Sequence, residues 1–169
     1  MYGIKGGVRS MNIVMKIITN PVLIVPACSW IIAQLMKGII SAIVNKKISL
    51  ERLFGDGGMP SGHSATVTAL AVMCGLSPSG GFDSALFGLA TIFAIVVMHD
   101  ALGVRREAGK QAISIIKIAE LLNDVLSEHD KYVKTDKLKV LVGHTPLQVI
   151  VGALLGAAIA IAYYFIFMA

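Results

Sequence analysis

The stretch "TPLQVIVGALLGAAIAIAYYFIFMA" (145–169) carries no charged side chain. A helix over it reaches about 37 Å at 1.5 Å per residue, more than the roughly 30 Å of a bilayer's hydrocarbon core. Within that core a chain must satisfy its backbone polar groups internally, so a run like this becomes a membrane helix. Residues 17–36 are uncharged too, and beyond Lys37 the apolar run resumes to Val44. "SALFGLATIFAIVVM" (84–98) is a third run, and 63–78 a shorter fourth. With 56% hydrophobic residues, the chain is richer in apolar side chains than the roughly 45–50% of soluble domains. The expected fold is all-α: a polytopic membrane bundle of about four transmembrane helices, forming one domain over 17–169. A basic, glycine-containing extension, 1–16, is expected to be unstructured, with Met11 and Met15 as alternative starts.

Charge sets the expected orientation. The segment 45–58 holds Lys46, Lys47 and Arg52, and 100–143 holds eight bases, whereas the turn "SPSGGFDS" (77–84) holds none. Positively charged segments stay on the cytoplasmic side. The expectation is an integral protein of the cell (inner) membrane, with 45–58 and 100–143 in the cytoplasm. Within 100–143, Ala108, Ala112, Ile115, Ala119, Leu122 and Leu126 recur at helical spacing, opposite Lys117, Glu120, Asp124 and Glu128. That pattern predicts an amphipathic cytoplasmic helix over about 105–128, packed on the bundle or lying at the interface. A polar loop follows at 127–137. The net charge of +5 suits an anionic membrane surface or substrate. Nucleic-acid binding is excluded for want of a basic patch interleaved with aromatics. Cys28 and Cys74 lie in separate apolar runs without metal-ligand spacing and read as packing residues.

Three polar segments fall where helices meet the cytoplasmic face: "GGMPSGHS" (57–64), "HDALGVRREAGKQA" (99–112) and "GHTPLQV" (143–149). In the first, Gly57 and Gly58 allow unusual backbone angles, Pro60 suits a first helical turn and Ser61 a cap. The helix start offers N–H groups near Ser61 and Gly62 to an anion, and His63 adds a proton donor. In the second, the guanidinium forks of Arg105 and Arg106 suit phosphate oxygens. Asp100 either holds one of those arginines or ligates a cation, while His99 reads as a residue at the span's end. In the third, His144 precedes Pro146, the expected opening of the last helix. Gln148 either accepts a hydrogen bond from the His144 ring or completes a capping box with Thr145. Gly152, Gly156 and Ala160 form a small-residue stripe for close helix packing, within the bundle or across a homodimer.

"GGMPSGHSATVTALA", "DALGVRREAGKQA" and "GHTPLQVIVGALLG" together resemble the divergent branch of the type 2 phosphatidic acid phosphatases. These are membrane proteins related to acid phosphatases and vanadium-dependent haloperoxidases, and the likeness runs over about 20–160. Pro60-Ser61-Gly62-His63 matches the superfamily motif whose histidine protonates the leaving group. His144 matches the histidine that attacks phosphorus, but Gln148 stands where the superfamily has an aspartate, leaving Asp100 as an alternative orienting group. The superfamily's Lys–Arg-Pro motif is unmatched, with Lys37 as stand-in. Its arginine just before the nucleophile is also missing; Lys139 is the nearest base there.

The resemblance implies hydrolysis of a lipid phosphate or prenyl diphosphate through a phosphohistidine, with His144 attacking and His63 donating the proton. Arg105, Arg106, Lys37, Gly58, Ser61 and Gly62 would hold the phosphate. No metal or cofactor enters that route, and the partners are the lipid-phosphate substrate, membrane lipids and a homodimer through the last helix. Two alternatives stay open: a non-catalytic scaffold or transporter keeping a phosphate site, and a metal-dependent hydrolase using Asp56, Asp100 and the histidines.

Overall fold

The computed structural model describes residues 13–45, 58–78, 80–126 and 143–169, without the side chains of Asn45, Arg105, Arg106 and 124–126. Of the extension 1–16, residues 1–12 lie outside the described residues, whereas 13–16, expected to be unstructured, are helical; residues 46–57 of the basic loop 45–58, with Asp56, the polar loop 127–137 and Lys139 also lie outside them. So do the Arg105 and Arg106 side chains.

Every described element is helical. After a short helical stretch at 13–18 come α1 (Pro21–Asn45), α2 (Gly62–Leu76), α3 (Ala85–Leu102), α4 (Val104–Leu126) and α5 (Pro146–Phe167). Local chemistry starts each apolar helix. Asn20 caps α1, its side-chain oxygen accepting from the Val22 N–H at 3.0 Å, with Pro21 in the first turn. Ser84 caps α3 by accepting from the Phe87 N–H. Ser61 caps α2 and Thr145 caps α5. Pro60 therefore lies just outside α2 rather than in its first turn; it is fully buried and follows a cis peptide.

Among the described residues, three helical stretches are long and apolar enough to cross a membrane: Pro21–Val44, Ala85–Asn123 and Pro146–Phe167. The fourth apolar helix, α2, has only 15 residues and reaches about 22 Å, too short to cross unaided. Its place in the bundle accounts for its length. Helices α1, α3 and α5 all pack on α2, which makes it the centre of the bundle. Nine residues of α2 are buried, against three on α3 and four on α5. The outer helices turn large side chains outward, among them Leu23, Ile39, Leu89, Ile92, Leu154 and Phe165. Their inner faces are small: Ala90 and Ala94 on α3; Gly152, Gly156 and Ala160 on α5. This inverted distribution suits a hydrocarbon solvent, where close backbone approach and dispersion hold helices together. The chain is an integral membrane protein.

The glycine stripe on α5 is used inside the bundle. A Cβ at Gly152 would overlap the Ser61 carbonyl, and one at Gly156 would overlap the Ala65 carbonyl. Ala160 continues the seam against Val25, Ala69 and Met73. A second copy meeting α5 would have to use the outward Leu147, Ile150 and Leu154 face instead.

The amphipathic helix expected at 105–128 appears as α4. Its inward residues are Gly109, Ala112, Ile116 and Ala119, one step round from the predicted stripe. Ile115 and Leu122 are exposed together with Ile118 and Leu121. The polar side carries an exposed Lys110–Glu107 ion pair at 2.6 Å. Cys28 and Cys74 are both free thiols.

Candidate active site

The three polar segments meet at one end of the bundle, and backbone hydrogen bonds tie them together. The Ser61 N–H donates to the Gln148 carbonyl at 3.0 Å, joining the first segment to the third. The His144 N–H donates to the Ala101 carbonyl at 3.1 Å, joining the third to the end of α3. His63 and Asp100 line one cleft, joining the first to the second.

Two imidazoles result, side by side. The ring centroids of His63 and His144 are 6.0 Å apart, with planes at 63°. His63 stands on the first turn of α2 and is half-buried, whereas His144 is 3% exposed. Their positions follow from the caps. Ser61 caps α2, which places His63 at its rim; Thr145 caps α5, which leaves His144 on the residue just before the cap.

Gln148 performs both of the roles the sequence left open. Its Oε1 accepts from the Thr145 N–H at 3.1 Å, completing a capping box, and lies 3.2 Å from Nδ1 of His144. The backbone N–H can only donate, so the amide atom facing it must be oxygen. The same oxygen faces the ring, so Nδ1 carries the proton. In the neutral ring Nε2 then carries the lone pair that a nucleophile or base requires.

Lys37 is 5% exposed although it sits within an apolar span. Gly58 lies against its stem: with φ +88°, a Cβ there would stand 3.2 Å from the lysine Cγ. The left-handed backbone and the missing side chain let the chain at Gly58 approach the lysine stem closely. A buried lysine in a membrane span carries a large desolvation cost and usually marks a functional group.

Ser61 builds the site more than it faces it. Its side-chain oxygen takes the Ser64 N–H and the Ser64 hydroxyl, and its own N–H is given to α5. Gly62, the next residue, begins the helix. Arg105 and Arg106 occupy the first turn of α4, shortly after Asp100 in the chain. His99 closes the last turn of α3, exposed, as a span-end residue. No group of three or more His, Cys, Asp or Glu side chains gathers as metal ligands among the described residues.

Two residues absent from the sequence reading also border this end. A Cβ on Gly62 would stand 3.2 Å from Cδ1 of Trp30 and 3.7 Å from Nε2 of Gln34. Gln34 Oε1 is buried without a hydrogen-bond partner among the described residues. Trp30, Gln34, Lys37 and Ser41 recur at steps of four, three and four, a polar-bearing stripe on one face of an otherwise apolar span. That periodicity was the available signal.

Fold and site together define a small polytopic helical membrane protein with paired histidines at one end of its bundle. The chain belongs to the Divergent PAP2 family, which it matches over residues 18–159. It is also 39% identical over 160 residues to "Uncharacterized membrane protein YuiD" of Bacillus subtilis (strain 168), covering 91% of this chain and 100% of that protein. No solved structure matches.

Proposed function

We propose that this protein is a membrane phosphatase that hydrolyses a lipid phosphate or prenyl diphosphate through a phosphohistidine, at the cytoplasmic face of the cell membrane. The observation that carries the reading is the 6.0 Å pairing of His63 with His144, whose Nδ1 proton is held by Gln148. In-line transfer needs an attacking nitrogen about 3–3.5 Å from phosphorus. It also needs an acid within about 3 Å of the leaving oxygen. The spacing of the two rings, about one phosphoryl group, supports such an arrangement.

Nε2 of His144 attacks phosphorus as the bond to the lipid oxygen breaks, and His63 gives that oxygen its proton. Water then attacks phosphorus, the phosphorus–nitrogen bond breaks with its electron pair returning to Nε2 of His144, His63 takes the water's proton, and inorganic phosphate leaves. Lys37, Arg105 and Arg106 with the N–H of Gly62 hold the equatorial oxygens, which is most of what phosphoryl transfer demands of a protein. Asp100, on the His63 side, orients the acid. The basic segments flanking the site support the cytoplasmic placement.

The test is phosphate release by the detergent-purified protein from phosphatidic acid, phosphatidylglycerophosphate and prenyl diphosphates. Acid-labile, base-stable label should appear on His144 and vanish in His144→Ala, and vanadate should inhibit. Turnover that survives His144→Ala excludes the mechanism.

A second reading has one observation in its favour. Gln148 is neutral, and a neutral amide stabilises an imidazolium less than the carboxylate the superfamily places there. On that reading the protein binds a lipid phosphate without turning it over. Saturable binding with no phosphate release from any substrate would establish it.

A further inference from the structure

A cleft of about 730 Å³ opens between α1, α2 and α3. His63 and Asp100 stand at its polar end; Ala27, Trp30, Val67, Phe93 and Val96 are among its walls. It descends from the level of the site: Asp100 and Phe93 lie two turns apart on α3, about 10 Å at 1.5 Å per residue. The three helices that wall it are apolar, and two of them belong to membrane-crossing stretches, so the cleft faces hydrocarbon.

The cleft is asymmetric with respect to the two histidines. His63 lines it and His144 does not. Resting on the phosphatase reading above, this has a chemical meaning. In an in-line displacement the leaving oxygen departs on the side opposite the nucleophile, and that is the side of the acid. We infer that the cleft is the binding groove for the hydrocarbon chain of the leaving alcohol, and that it takes a single-chain lipid alcohol joined directly to the phosphorylated oxygen.

Two features select one chain. At about 30 Å³ per water-sized group, the volume matches roughly two dozen heavy atoms, the scale of one chain segment lying along the groove. The walls also turn apolar within a turn of His63, and Thr66, the hydroxyl at that level, already donates to the Gly62 carbonyl at 2.8 Å. The ester carbonyls of a diacylglycerol would find a poor complement there, whereas an isoprenoid chain needs none.

The test separates groove from chemistry. Polyprenyl phosphate and phosphatidic acid, each with a photoactivatable diazirine in the chain, are incubated with the whole protein in phosphatidylcholine nanodiscs and irradiated. The expected result is labelling of α3 peptides containing Phe93 and Val96 by the polyprenyl probe, competed by unlabelled polyprenyl phosphate. Val96→Trp should cut that labelling at least tenfold, and Ala27→Leu, a milder filling of the same groove, should cut it in proportion. Where turnover is measured, both variants should raise KM for polyprenyl phosphate at least tenfold and leave hydrolysis of a water-soluble short-chain phosphate unchanged. Labelling elsewhere, or labelling insensitive to both variants, overturns the groove. Equal labelling by the diacyl probe overturns the single-chain assignment. Labelling as expected with no hydrolysis of any ester leaves the groove standing and removes the phosphatase reading instead.

Discussion

Gln148 Oε1 lies 3.2 Å from Nδ1 of His144 while also accepting from the Thr145 N–H, so one amide oxygen both starts α5 and sets a histidine tautomer. The helix cap and the candidate nucleophile are thus one structural unit. The economy has a consequence: a substitution at 148 moves stability and activity together, and conservative variants are needed to separate them.

Gln148→Glu keeps an acceptor for both donors and adds the charge that favours an imidazolium. The expected outcome is an unchanged unfolding temperature and a kcat raised several-fold. Gln148→Leu removes the acceptor, costs about 1 kcal/mol of helix capping and lets the ring turn. Loss of orientation on that scale lowers kcat by about a hundredfold. Thermal unfolding in detergent and phosphate-release kinetics on both variants check this; equal kcat in Gln148→Leu and the wild type would exclude the orienting role.

Gly156→Ala and Gly152→Ala separate packing from the site. Both introduce a methyl into backbone of α2, and overpacking of this kind costs about 1–3 kcal/mol. Gly156 faces Ala65, one turn below the site, so its variant should lower the unfolding temperature with kcat largely kept. Gly152 faces Ser61 itself, and its variant should lose both stability and most activity. Identical activity losses in the two would show that the seam acts only through global stability.

Lys37→Met keeps the length of the stem and removes the ammonium. The variant should bind vanadate at least tenfold more weakly if the ammonium holds the anion. Gly58→Ala, strained by its φ of +88° and pressed on the lysine stem, should weaken vanadate binding while lowering stability. Vanadate inhibition curves beside thermal unfolding decide between an anion clamp and a structural lysine.

Much of this architecture is legible in the sequence. The uncharged runs mark the helices, and Asn20, Ser61, Ser84 and Thr145 mark their starts, because capping is local chemistry. The meeting of His63 with His144 is foreshadowed by the charge pattern, which puts three polar segments on one side. Tertiary facts are less legible. That α2 lies at the centre, and can therefore be short, depends on which neighbours surround it; hydropathy reads both lipid and a protein interior as apolar. The inward face of α4 keeps Ala112 and Ala119 of the predicted stripe but differs at the other positions, because Ile115 and Leu122 turn outward and Gly109 and Ile116 turn in. Whether the glycine stripe faced α2 or a second copy was equally undecidable from spacing alone. Trp30 and Gln34 were hidden for another reason: an amide and an indole inside a hydrophobic run look like tolerated exceptions until Gly62 is found against them.

Gln34 offers the sharpest separation of structure from function. Its Oε1 is buried with no partner among the described residues, an arrangement that costs about 1–3 kcal/mol. Such a cost persists where a ligand supplies the missing donor, and a protonated phosphate oxygen at the start of α2 is such a donor. Gln34→Leu is close to it in size and lacks the polar group. If the amide serves only the fold, the variant should bind vanadate and substrate as the wild type does. If it meets the phosphate, the unfolding temperature of the ligand-free protein should stay level or rise while KM increases about tenfold and the stabilisation by vanadate shrinks. Thermal unfolding with and without vanadate reads both quantities in one experiment, and a variant equally stabilised by the anion would remove Gln34 from the site.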